Sequence, residues 1–415
     1  MEKTPPTPRL AWLDVLRGVA ALTVAFHHGS YHYVPAFRER LIGYVNPGAW
    51  GVLVFFLVSG YIIPASLERT GSVRRFWVGR AFRIHPMLLV ATGAMAVLSL
   101  TGLKSLSARL GDHPEPVTEV LAHLTMLQDL LAVPSIVNVF WTLSYEMVFY
   151  LLTVALFAVG LHRRSAGVAL ALAGSAAALA AVLPVAALSG RAGTAPVTAA
   201  VAALVTTAIV LACSRRAALA RAGALLGGAT GLVLVLANSR IAAWQGLVLL
   251  AMMFLGTAVH RSEQGRLAWR WTVLAGASVL ATALLLPLRH VPDMVDGGVV
   301  RAWQTSLPLA MAAFAAAMAL RARRMPRALA GLGVVSYSVY VLHPVLLAAA
   351  DGTVGRPGED RPLWLAAYLV LVVAVSAGTY RLVEVPALRA GRRVARRLDP
   401  PPAAPDRSPA PVTVR

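Results

Sequence analysis

The chain is built from apolar stretches that are each about as long as a lipid bilayer is thick. A membrane-spanning helix needs about 20 mostly apolar residues, and twelve stretches of this kind follow one another along the sequence. Hydrophobic residues make up 58% of the 415 residues and charged residues 13%, which excludes a soluble enzyme and a disordered protein. We predict an all-α, polytopic transmembrane helical bundle with about 10–12 spans. The candidate spans are residues 11–30, 48–67, 84–103, 139–160, 166–189, 196–213, 222–237, 241–260, 271–288, 304–320, 328–350 and 362–380.

Basic residues are concentrated in every second connection between these stretches. The chain has 38 Lys and Arg against 18 Asp and Glu, which gives a formal net charge of +20. When the N-terminus is placed in the cytoplasm, most of the basic residues fall in cytoplasmic segments, as the positive-inside rule requires. The charge therefore indicates membrane topology and does not predict nucleic-acid binding. We expect both termini to be cytoplasmic in a multi-pass protein of the bacterial plasma membrane.

The predicted organisation has three parts. Residues 1–10 form a cytoplasmic N-terminal tail, residues 11–388 a transmembrane domain, and residues 389–415 a basic, Pro- and Ala-rich cytoplasmic tail that is expected to be disordered. Charged residues interrupt the first stretch, so it is not a cleaved signal peptide. The longest outside connection, residues 104–138, contains an amphipathic segment, Val117 to Leu131, that is expected to lie on the membrane surface.

Ionisable residues inside the apolar stretches are the candidates for function, because such groups are costly in lipid and face the bundle interior or a water-filled cavity. The first stretch contains Asp14, Arg17, His27 and His28. Arg17 and His28 are eleven residues apart, about three helical turns, so they share one face of a helix. His27 points about 100° away from that face and is expected not to face the same cavity. The structural alternative is an Asp14–Arg17 ion pair with two histidines at the outer boundary.

Further polar residues occur in three later stretches. Arg80 and Arg83 are one turn apart at the cytoplasmic entrance of the third, where guanidinium groups would suit a phosphate. Alternatively, these arginines only determine topology. Glu146, in the fourth, has too much apolar helix on its outer side to reach water, so it must find a partner or be protonated. Near the C-terminus, polar side chains recur at helical spacings: Ser336, Tyr337, Tyr340 and His343.

Metal and cofactor chemistry has no support in the sequence. The single cysteine, Cys213, excludes an intramolecular disulfide and a cysteine-based zinc or iron–sulfur site. No other constellation of metal-ligating residues is present. We predict no metal site and no bound cofactor.

Six segments, taken in order, resemble the acyltransferase-3 family, whose members are membrane-bound acyltransferases that modify surface glycans, nodulation factors and macrolide antibiotics. They run from Leu13 to Pro386, so the resemblance covers nearly the whole chain. The segments are LDVLRGVAALTVAFHH, FFLVSGYII, FWVGRAFRIHP, HLTMLQDLLAVPSIVNVFWTLSYEMVFYLL, SYSVYVLHP and LVEVP.

The family's motifs fall on residues that chemistry had already singled out. Its first-span pattern, a basic residue followed by ten others and a histidine, falls on Arg17 and His28. Gly79 stands where many members carry another basic residue. The family's remaining motifs match Arg80 and Arg83 before the third span, and Trp141 and Glu146 in the fourth.

The resemblance implies an O-acyltransferase that moves an acyl group, expected to be acetyl, to a hydroxyl of a carbohydrate or of a natural product such as a macrolide. Acyl-CoA would be the co-substrate, with its phosphates held by Arg17, Arg80 and Arg83. His28 would act as the general base. Glu146 would orient or charge-balance that histidine, or hold the acceptor. Direct transfer is expected, and an acyl-histidine intermediate is the alternative.

The competing class of function is a proton-coupled transporter. Intramembrane Asp, Arg, His and Glu residues would suit one. The polar residues are, however, concentrated in the first four stretches and near the end of the chain, and the sequence lacks the two-halves symmetry of many transporters. The sequence therefore favours the enzyme.

Overall fold

A computed structural model of the chain describes residues 10–105, 115–179, 184–290 and 297–399. These residues are mostly helical and include no β-strand, which confirms the all-α prediction. The helices are α1 (Ala11–Tyr33), α2 (Pro35–Ile42), α3 (Pro47–Thr70), α4 (Val73–Leu100), α5 (Pro116–Leu124), α6 (Trp141–Ala158), α7 (Ser165–Leu179), α8 (Ala187–Ala192), α9 (Thr194–Ala212), α10 (Ala217–Ala237), α11 (Ala243–Glu263), α12 (Trp269–His290), α13 (Gly297–Ala319), α14 (Arg327–Thr353), α15 (Pro362–Thr379) and α16 (Val385–Leu398).

Each of the twelve predicted stretches overlaps one of these helices. Within the described ranges, nine helices are long and apolar enough to cross a membrane, the last of them continuous from Pro362 to Leu398. α7 and the residues 304–319 of α13 are shorter apolar helices. α1 is not among the nine because its charged residues and histidines lower its hydropathy, although most of its residues on one side are buried.

Close backbone contacts hold the centre of the bundle together. α3 packs on α11 so tightly that a Cβ on Gly60 would lie 1.7 Å from the backbone oxygen of Met253. α14 approaches α1 in the same way, since a Cβ on Gly333 would lie 1.9 Å from the backbone oxygen of Asp14. Small residues permit such approaches between membrane helices. The glycines therefore fix the relative positions of α1, α3, α11 and α14.

The connection between α4 and α6 enters the bundle. α5 exposes Val117 and Val120 on one side, in keeping with an amphipathic helix. The 3₁₀ turn that follows, Gln128–Leu131, is buried along its whole length. The surface location predicted for Val117 to Leu131 is therefore wrong for the second half of the segment, because Leu127 and the apolar side chains of this turn bury their area inside the protein.

The C-terminal region is ordered further than the sequence predicts. α16 continues from a π-helical turn, Tyr380–Glu384, and packs on α4, where the backbone of Gly391 lies against the ring of Phe82. Arg75 also donates a hydrogen bond from Nε to the backbone oxygen of Asp399, at 3.0 Å. The prediction of disorder is wrong for residues 389–398, while residues 400–415 lie outside the described ranges. The N-terminal tail, apart from Leu10, also lies outside them.

Candidate active site

Two cavities lie end to end in the centre of the bundle. The first, which we name the arginine cavity, has a volume of about 250 Å³ and is bounded by α1, α3, α4, α6 and α14. The second, the histidine cavity, has a volume of about 190 Å³. Charged and hydroxyl-bearing residues of the arginine cavity are Arg17, Ser59, Arg80, Arg83, Thr142, Glu146, Tyr150, Tyr337 and Tyr340. The histidine cavity is lined by His27, His28, Asn46, Trp141, Tyr340 and apolar neighbours.

α4 carries two arginines into the arginine cavity. The helix begins at Val73, where the side chain of Ser72 accepts a hydrogen bond from the backbone N–H of Arg75. Arg80 and Arg83 follow one turn apart and therefore point in a similar direction. The Arg80 guanidinium carbon lies 5.6 Å from the ring centroid of Tyr150, a cation–π distance. The cavity thus has two guanidinium groups on one wall.

Arg17 completes the cationic lining from α1. Its guanidinium lies within electrostatic range of Arg83 and of the carboxylates of Asp14, Glu146 and Glu384. These carboxylates offset part of the positive charge that would otherwise accumulate in a buried site. The cavity is therefore positively charged at its surface and balanced by acidic groups around it.

Glu146 lies in the arginine cavity. Its Oε1 atom accepts a hydrogen bond from the hydroxyl of Tyr150 at 2.5 Å. The structure does not bring Glu146 into the histidine cavity, so the suggestion that it orients His28 is not supported by the geometry. The helical turn between Trp141 and Glu146 explains this, because it separates the two residues along the axis of α6.

His28 pairs with a histidine from the opposite end of the chain. Nδ1 of His28 lies 3.1 Å from Nε2 of His343 and 3.1 Å from the backbone oxygen of Val24. Nδ1 of His343 lies 3.0 Å from the backbone oxygen of Val339. Since a carbonyl oxygen can only accept, Nδ1 of His343 carries the proton and Nε2 holds a lone pair. His28 then donates from Nδ1, and its Nε2 atom is the basic nitrogen.

His27 also lines the histidine cavity. The ring centroids of His27 and His28 lie 5.2 Å apart, and the His27 ring packs over Gly48. The expectation that only His28 faces a cavity is therefore wrong. The side chains of His27 and His28 point about 100° apart around the axis of α1, and the face of α1 that borders this cavity is wider than that.

Two residues belong to both cavities. Val52 from α3 and Tyr340 from α14 line the arginine cavity and the histidine cavity alike. The hydroxyl of Tyr340 lies 2.9 Å from Oγ1 of Thr142. The side chains of these residues form the wall at which the two cavities meet.

The remaining candidates from the sequence occupy different places. Tyr337 lines the arginine cavity and donates its hydroxyl to the backbone oxygen of Ile84 at 2.8 Å. Trp141 lines the histidine cavity. Ser336 is fully buried and donates to the backbone oxygen of Gly333, within its own helix. Asp14 lies near Arg17 and outside the cavity lining. The structure therefore separates these residues into two lining residues and two supporting ones.

Sequence reasoning missed several residues of the site. In the sequence Tyr340 is one of several polar residues at helical spacing, and a lone hydroxyl such as that of Thr142 is common in an apolar stretch. Glu384, within the matched LVEVP segment, is 3% exposed and accepts a hydrogen bond from Ser338. The sequence signal for Glu384 is its place in the LVEVP segment, four residues beyond the last predicted apolar stretch.

The arginine cavity can bind an anion, and His28 in the histidine cavity can act as a base. The two sites lie on either side of the wall formed by Val52 and Tyr340. Arginines can bind phosphate oxygens through paired N–H groups. The His28 Nε2 atom can accept a proton in the second cavity. Among the residues that the structure describes, no group of three or more His, Cys, Asp or Glu side chains is arranged to hold a metal ion.

Comparison with known sequences links the chain to one family. The family model described as an acyltransferase domain matches residues 10–381. The chain is 31% identical to acyltransferase MdmB of Streptomyces mycarofaciens over 35% of its own length and 39% of that protein. It is 31% identical to an O-acetyl transferase of Shigella phage Sf6 over 34% of this chain and 44% of that protein. It is 34% identical to nodulation protein 10 of Rhizobium leguminosarum bv. viciae over 21% of this chain and 25% of that protein.

Each of these matches spans less than half of the curated relative. No solved structure matches the chain.

Proposed function

This chain belongs to the acyltransferase family whose model spans residues 10–381, and on that premise we propose that it is an integral membrane O-acyltransferase. It moves an acyl group, acetyl in the first instance, from acyl-CoA to a hydroxyl of a carbohydrate or of a natural product such as a macrolide. The relatives named acyltransferase and O-acetyl transferase support this proposal. The observation that carries it is that the arginine cavity and the histidine cavity share one wall, formed by Val52 and Tyr340.

The arginine cavity is the proposed donor site. CoA carries several phosphate charges, and guanidinium groups bind phosphates with paired hydrogen bonds. Arg80 and Arg83 stand one turn apart on α4, and Arg17 faces them from α1. The thioester arm of acyl-CoA then extends along α3 towards Val52, where the histidine cavity begins.

His28 is the proposed general base. Its Nδ1–H is directed to the lone pair of His343 Nε2, which leaves Nε2 of His28 as the nitrogen that takes a proton. A neutral imidazole held in one tautomer suits proton abstraction from a hydroxyl, because no proton has to be moved before reaction. The same orientation would position Nε2 towards an acceptor in the histidine cavity.

The transfer step is a direct attack. The acceptor oxygen forms a bond to the thioester carbonyl carbon while its proton passes to Nε2 of His28. The tetrahedral intermediate then breaks its carbon–sulfur bond, and the departing CoA sulfur receives that proton. The products are an acyl ester and the CoA thiol, and His28 returns to its starting state. In the alternative, Nε2 attacks the thioester itself and an acyl-histidine accumulates when no acceptor is present.

Glu146 acts on the donor side in this proposal. It accepts the hydroxyl hydrogen of Tyr150 and lies near Arg17. A carboxylate at this place holds the guanidinium groups in position before the donor arrives and limits their mutual repulsion. It is therefore a positioning residue for the arginine cavity.

We assign the arginine cavity to the cytoplasmic side, with both chain termini in the cytoplasm of a bacterium. α3 runs from the histidine cavity near Asn46 to the arginine cavity. Arg69 lies in the last turn of α3 and Arg74 and Arg75 follow just beyond it, and basic residues at this position favour the cytoplasm. Acyl-CoA made in the cytoplasm would then meet the arginines directly.

Release of CoA thiol from acetyl-CoA by the purified protein in detergent tests the function. An acyltransferase consumes the thioester, slowly with water and faster with an acceptor hydroxyl. A proton-coupled transporter would leave acetyl-CoA intact, so absence of thiol release with sugar and macrolide acceptors would refute the proposal. Arg83→Ala and His28→Ala variants, measured alongside, exclude a contaminating thioesterase.

A further inference from the structure

The two cavities together extend along most of α3. Asn46, just before the helix, lines the histidine cavity, and Ile63 lines the arginine cavity. At a rise of 1.5 Å per residue this interval measures about 25 Å, close to the roughly 30 Å thickness of a hydrocarbon core. Among the residues that the structure describes, only Val52 and Tyr340 line both cavities. Anything that passes between the cavities must pass beside these two side chains.

Tyr340 is held in place by several contacts. The Tyr340 hydroxyl lies 2.9 Å from Oγ1 of Thr142 and 3.3 Å from the backbone oxygen of Val139, and Oγ1 of Thr142 lies 3.0 Å from the same backbone oxygen. The ring packs edge-on against Phe55 at 5.4 Å between centroids and lies 6.0 Å from the ring of His343. A ring fixed by a hydrogen bond and two aromatic neighbours cannot move aside without losing these contacts.

We propose that Tyr340 determines which acyl groups the enzyme transfers. Its ring leaves room for an acetyl group where the two cavities meet and excludes longer acyl chains. The inference rests on the proposed function, in which the donor occupies the arginine cavity and His28 acts from the other side. The attacking oxygen must lie within about 3.2 Å of the base and about 3.5 Å of the carbonyl carbon. Because Tyr340 lines both the donor cavity and the cavity that holds His28, the proposal places the acyl chain, attached to that carbon, against the ring of Tyr340.

The acyl-CoA chain-length profile tests this assignment. The purified enzyme is given acetyl-, butyryl- and hexanoyl-CoA with water as acceptor, and thiol release gives kcat/KM for each. The wild-type enzyme is expected to prefer acetyl-CoA over butyryl-CoA by at least tenfold, because one methylene in a closed pocket changes specificity by roughly 10- to 200-fold. Equal rates with acetyl- and hexanoyl-CoA would overturn the proposal.

The Tyr340→Ala variant removes the ring. We expect its ratio of butyryl-CoA to acetyl-CoA kcat/KM to rise at least tenfold over wild type. Tyr340→Phe keeps the ring and loses only the hydroxyl contacts with Thr142 and the backbone oxygen of Val139, so its ratio should stay within about threefold of wild type. A ratio in Tyr340→Ala equal to that of wild type would show that the ring does not limit chain length.

Two further variants separate acyl selection from general loosening. Phe314 lies in neither cavity and packs on Trp12 and Tyr61, so Phe314→Ala removes a buried ring and should leave the ratio unchanged. Val52→Phe narrows the same wall from α3 and should lower the ratio below that of wild type. If Tyr340→Ala does not fold, Val52→Phe decides: an unchanged ratio in that variant overturns the proposal.

Thiol release by the wild-type enzyme distinguishes a failure of the role proposed for Tyr340 from a failure of the proposed function. If the wild-type enzyme releases thiol and Tyr340→Ala keeps its chain-length profile, only the role of Tyr340 is wrong. If the wild-type enzyme releases thiol from none of the three donors, the proposed function and the inference that rests on it are both wrong.

Discussion

Nε2 of His343 lies 3.1 Å from Nδ1 of His28, although the two residues are 315 positions apart in the chain. The contact joins α1 to α14, and together with the backbone oxygen of Val24, also 3.1 Å away, it assigns the proton of His28 to Nδ1. His343 is itself fixed by its hydrogen bond to the backbone oxygen of Val339. A three-member chain of hydrogen bonds thus prepares Nε2 of His28 for proton transfer.

Loss of His343 should reduce turnover without affecting the donor site. His343→Leu removes one of the two acceptors near Nδ1–H of His28 and leaves the backbone oxygen of Val24, so the imidazole keeps its tautomer and loses the contact that orients it towards α14. We expect kcat to fall roughly 10- to 100-fold, since a displaced catalytic group costs about 10²-fold. The KM for acetyl-CoA should remain near the wild-type value, because His343 does not line the arginine cavity.

His343→Gln provides the matched control for that variant. Its side-chain oxygen can accept the proton of His28 Nδ1, so part of the lost activity should return. Equal activity in His343→Leu and His343→Gln would mean that the hydrogen bond is unimportant. A large increase in KM in either variant would point to a structural defect.

Replacement of His28 should abolish transfer, whereas replacement of His27 should not. Removing a general base typically lowers a rate by about 10²–10⁴-fold, and this is expected for kcat of His28→Ala with acetyl-CoA binding intact. Although His27 lines the same cavity, its ring packs over Gly48. His27→Ala should retain most activity at saturating donor.

Thiol-release kinetics and a separate measurement of acetyl-CoA binding distinguish these outcomes. If the two variants exchange behaviour, His27 is the base. If both remain active, neither histidine takes part in the chemical step.

The helices and their polar faces could be predicted from the sequence because both follow from periodicity. Each of the twelve apolar stretches overlaps at least one helix, and the eleven-residue interval between Arg17 and His28 predicts one shared face. The His28–His343 contact could not be predicted in this way. It depends on how α14 is rotated against α1, and close packing at Gly333 determines that rotation.

Two predictions are wrong for different reasons. Composition predicts disorder for the segment that begins at Arg389, because it is basic and leads into a Pro- and Ala-rich end. Its five arginines recur at helical spacings on one side, while Gly391 faces α4. The amphipathic pattern of α5 predicts that the turn Gln128–Leu131 after it also lies on the membrane surface, whereas the turn is buried. Periodicity was visible in the first case, whereas only tertiary packing determines the second.

Removal of a guanidinium group from the arginine cavity should weaken donor binding. A charge-assisted hydrogen bond is worth roughly 1.5–3 kcal/mol, which corresponds to about a 10- to 150-fold change in affinity. Arg83→Ala should raise the KM for acetyl-CoA by this order and affect kcat less. Arg83→Lys keeps the charge without the paired donors and should show a smaller increase.

Direct binding of CoA to the purified variants is the accompanying measurement. Arg270, which is exposed at the start of α12, supplies the control Arg270→Ala, with an expected KM equal to that of wild type. If the affinity for CoA is unchanged in Arg83→Ala, Arg83 does not bind the donor and only determines membrane topology.

The proposed orientation can be tested with paired cysteines. In a Cys213→Ser background, Tyr44→Cys and Gln264→Cys place thiols on exposed residues in two different connections. With both termini cytoplasmic, a membrane-impermeant maleimide should label Tyr44→Cys in intact cells, and Gln264→Cys only in inverted vesicles. The opposite pattern would place the arginine cavity on the outer side and contradict cytoplasmic acyl-CoA as donor.

The stability of the protein should depend on pH through Asp129. This residue is 6% exposed in the buried turn before α6, and burial raises the pKa of its carboxyl to about 6, opposed by nearby Arg240. The unfolded chain releases this proton near its ordinary pKa of 3.8. Between these values the folded state binds more protons, so the free energy of unfolding falls as the pH rises towards 6 and is constant above.

Asp129→Asn should remove this dependence. Its side-chain oxygen can still accept the hydrogen bond that Tyr145 donates to Asp129. At pH 7.5 the variant is expected to be more stable than wild type by at most about 3 kcal/mol, from 1.36 kcal/mol per pKa unit, and at pH 4 the two should be nearly equal. Thermal unfolding in detergent from pH 4 to 8 measures the difference, with the exposed Glu39→Gln as control. Parallel curves for wild type and Asp129→Asn would show that Asp129 remains ionised in the folded protein.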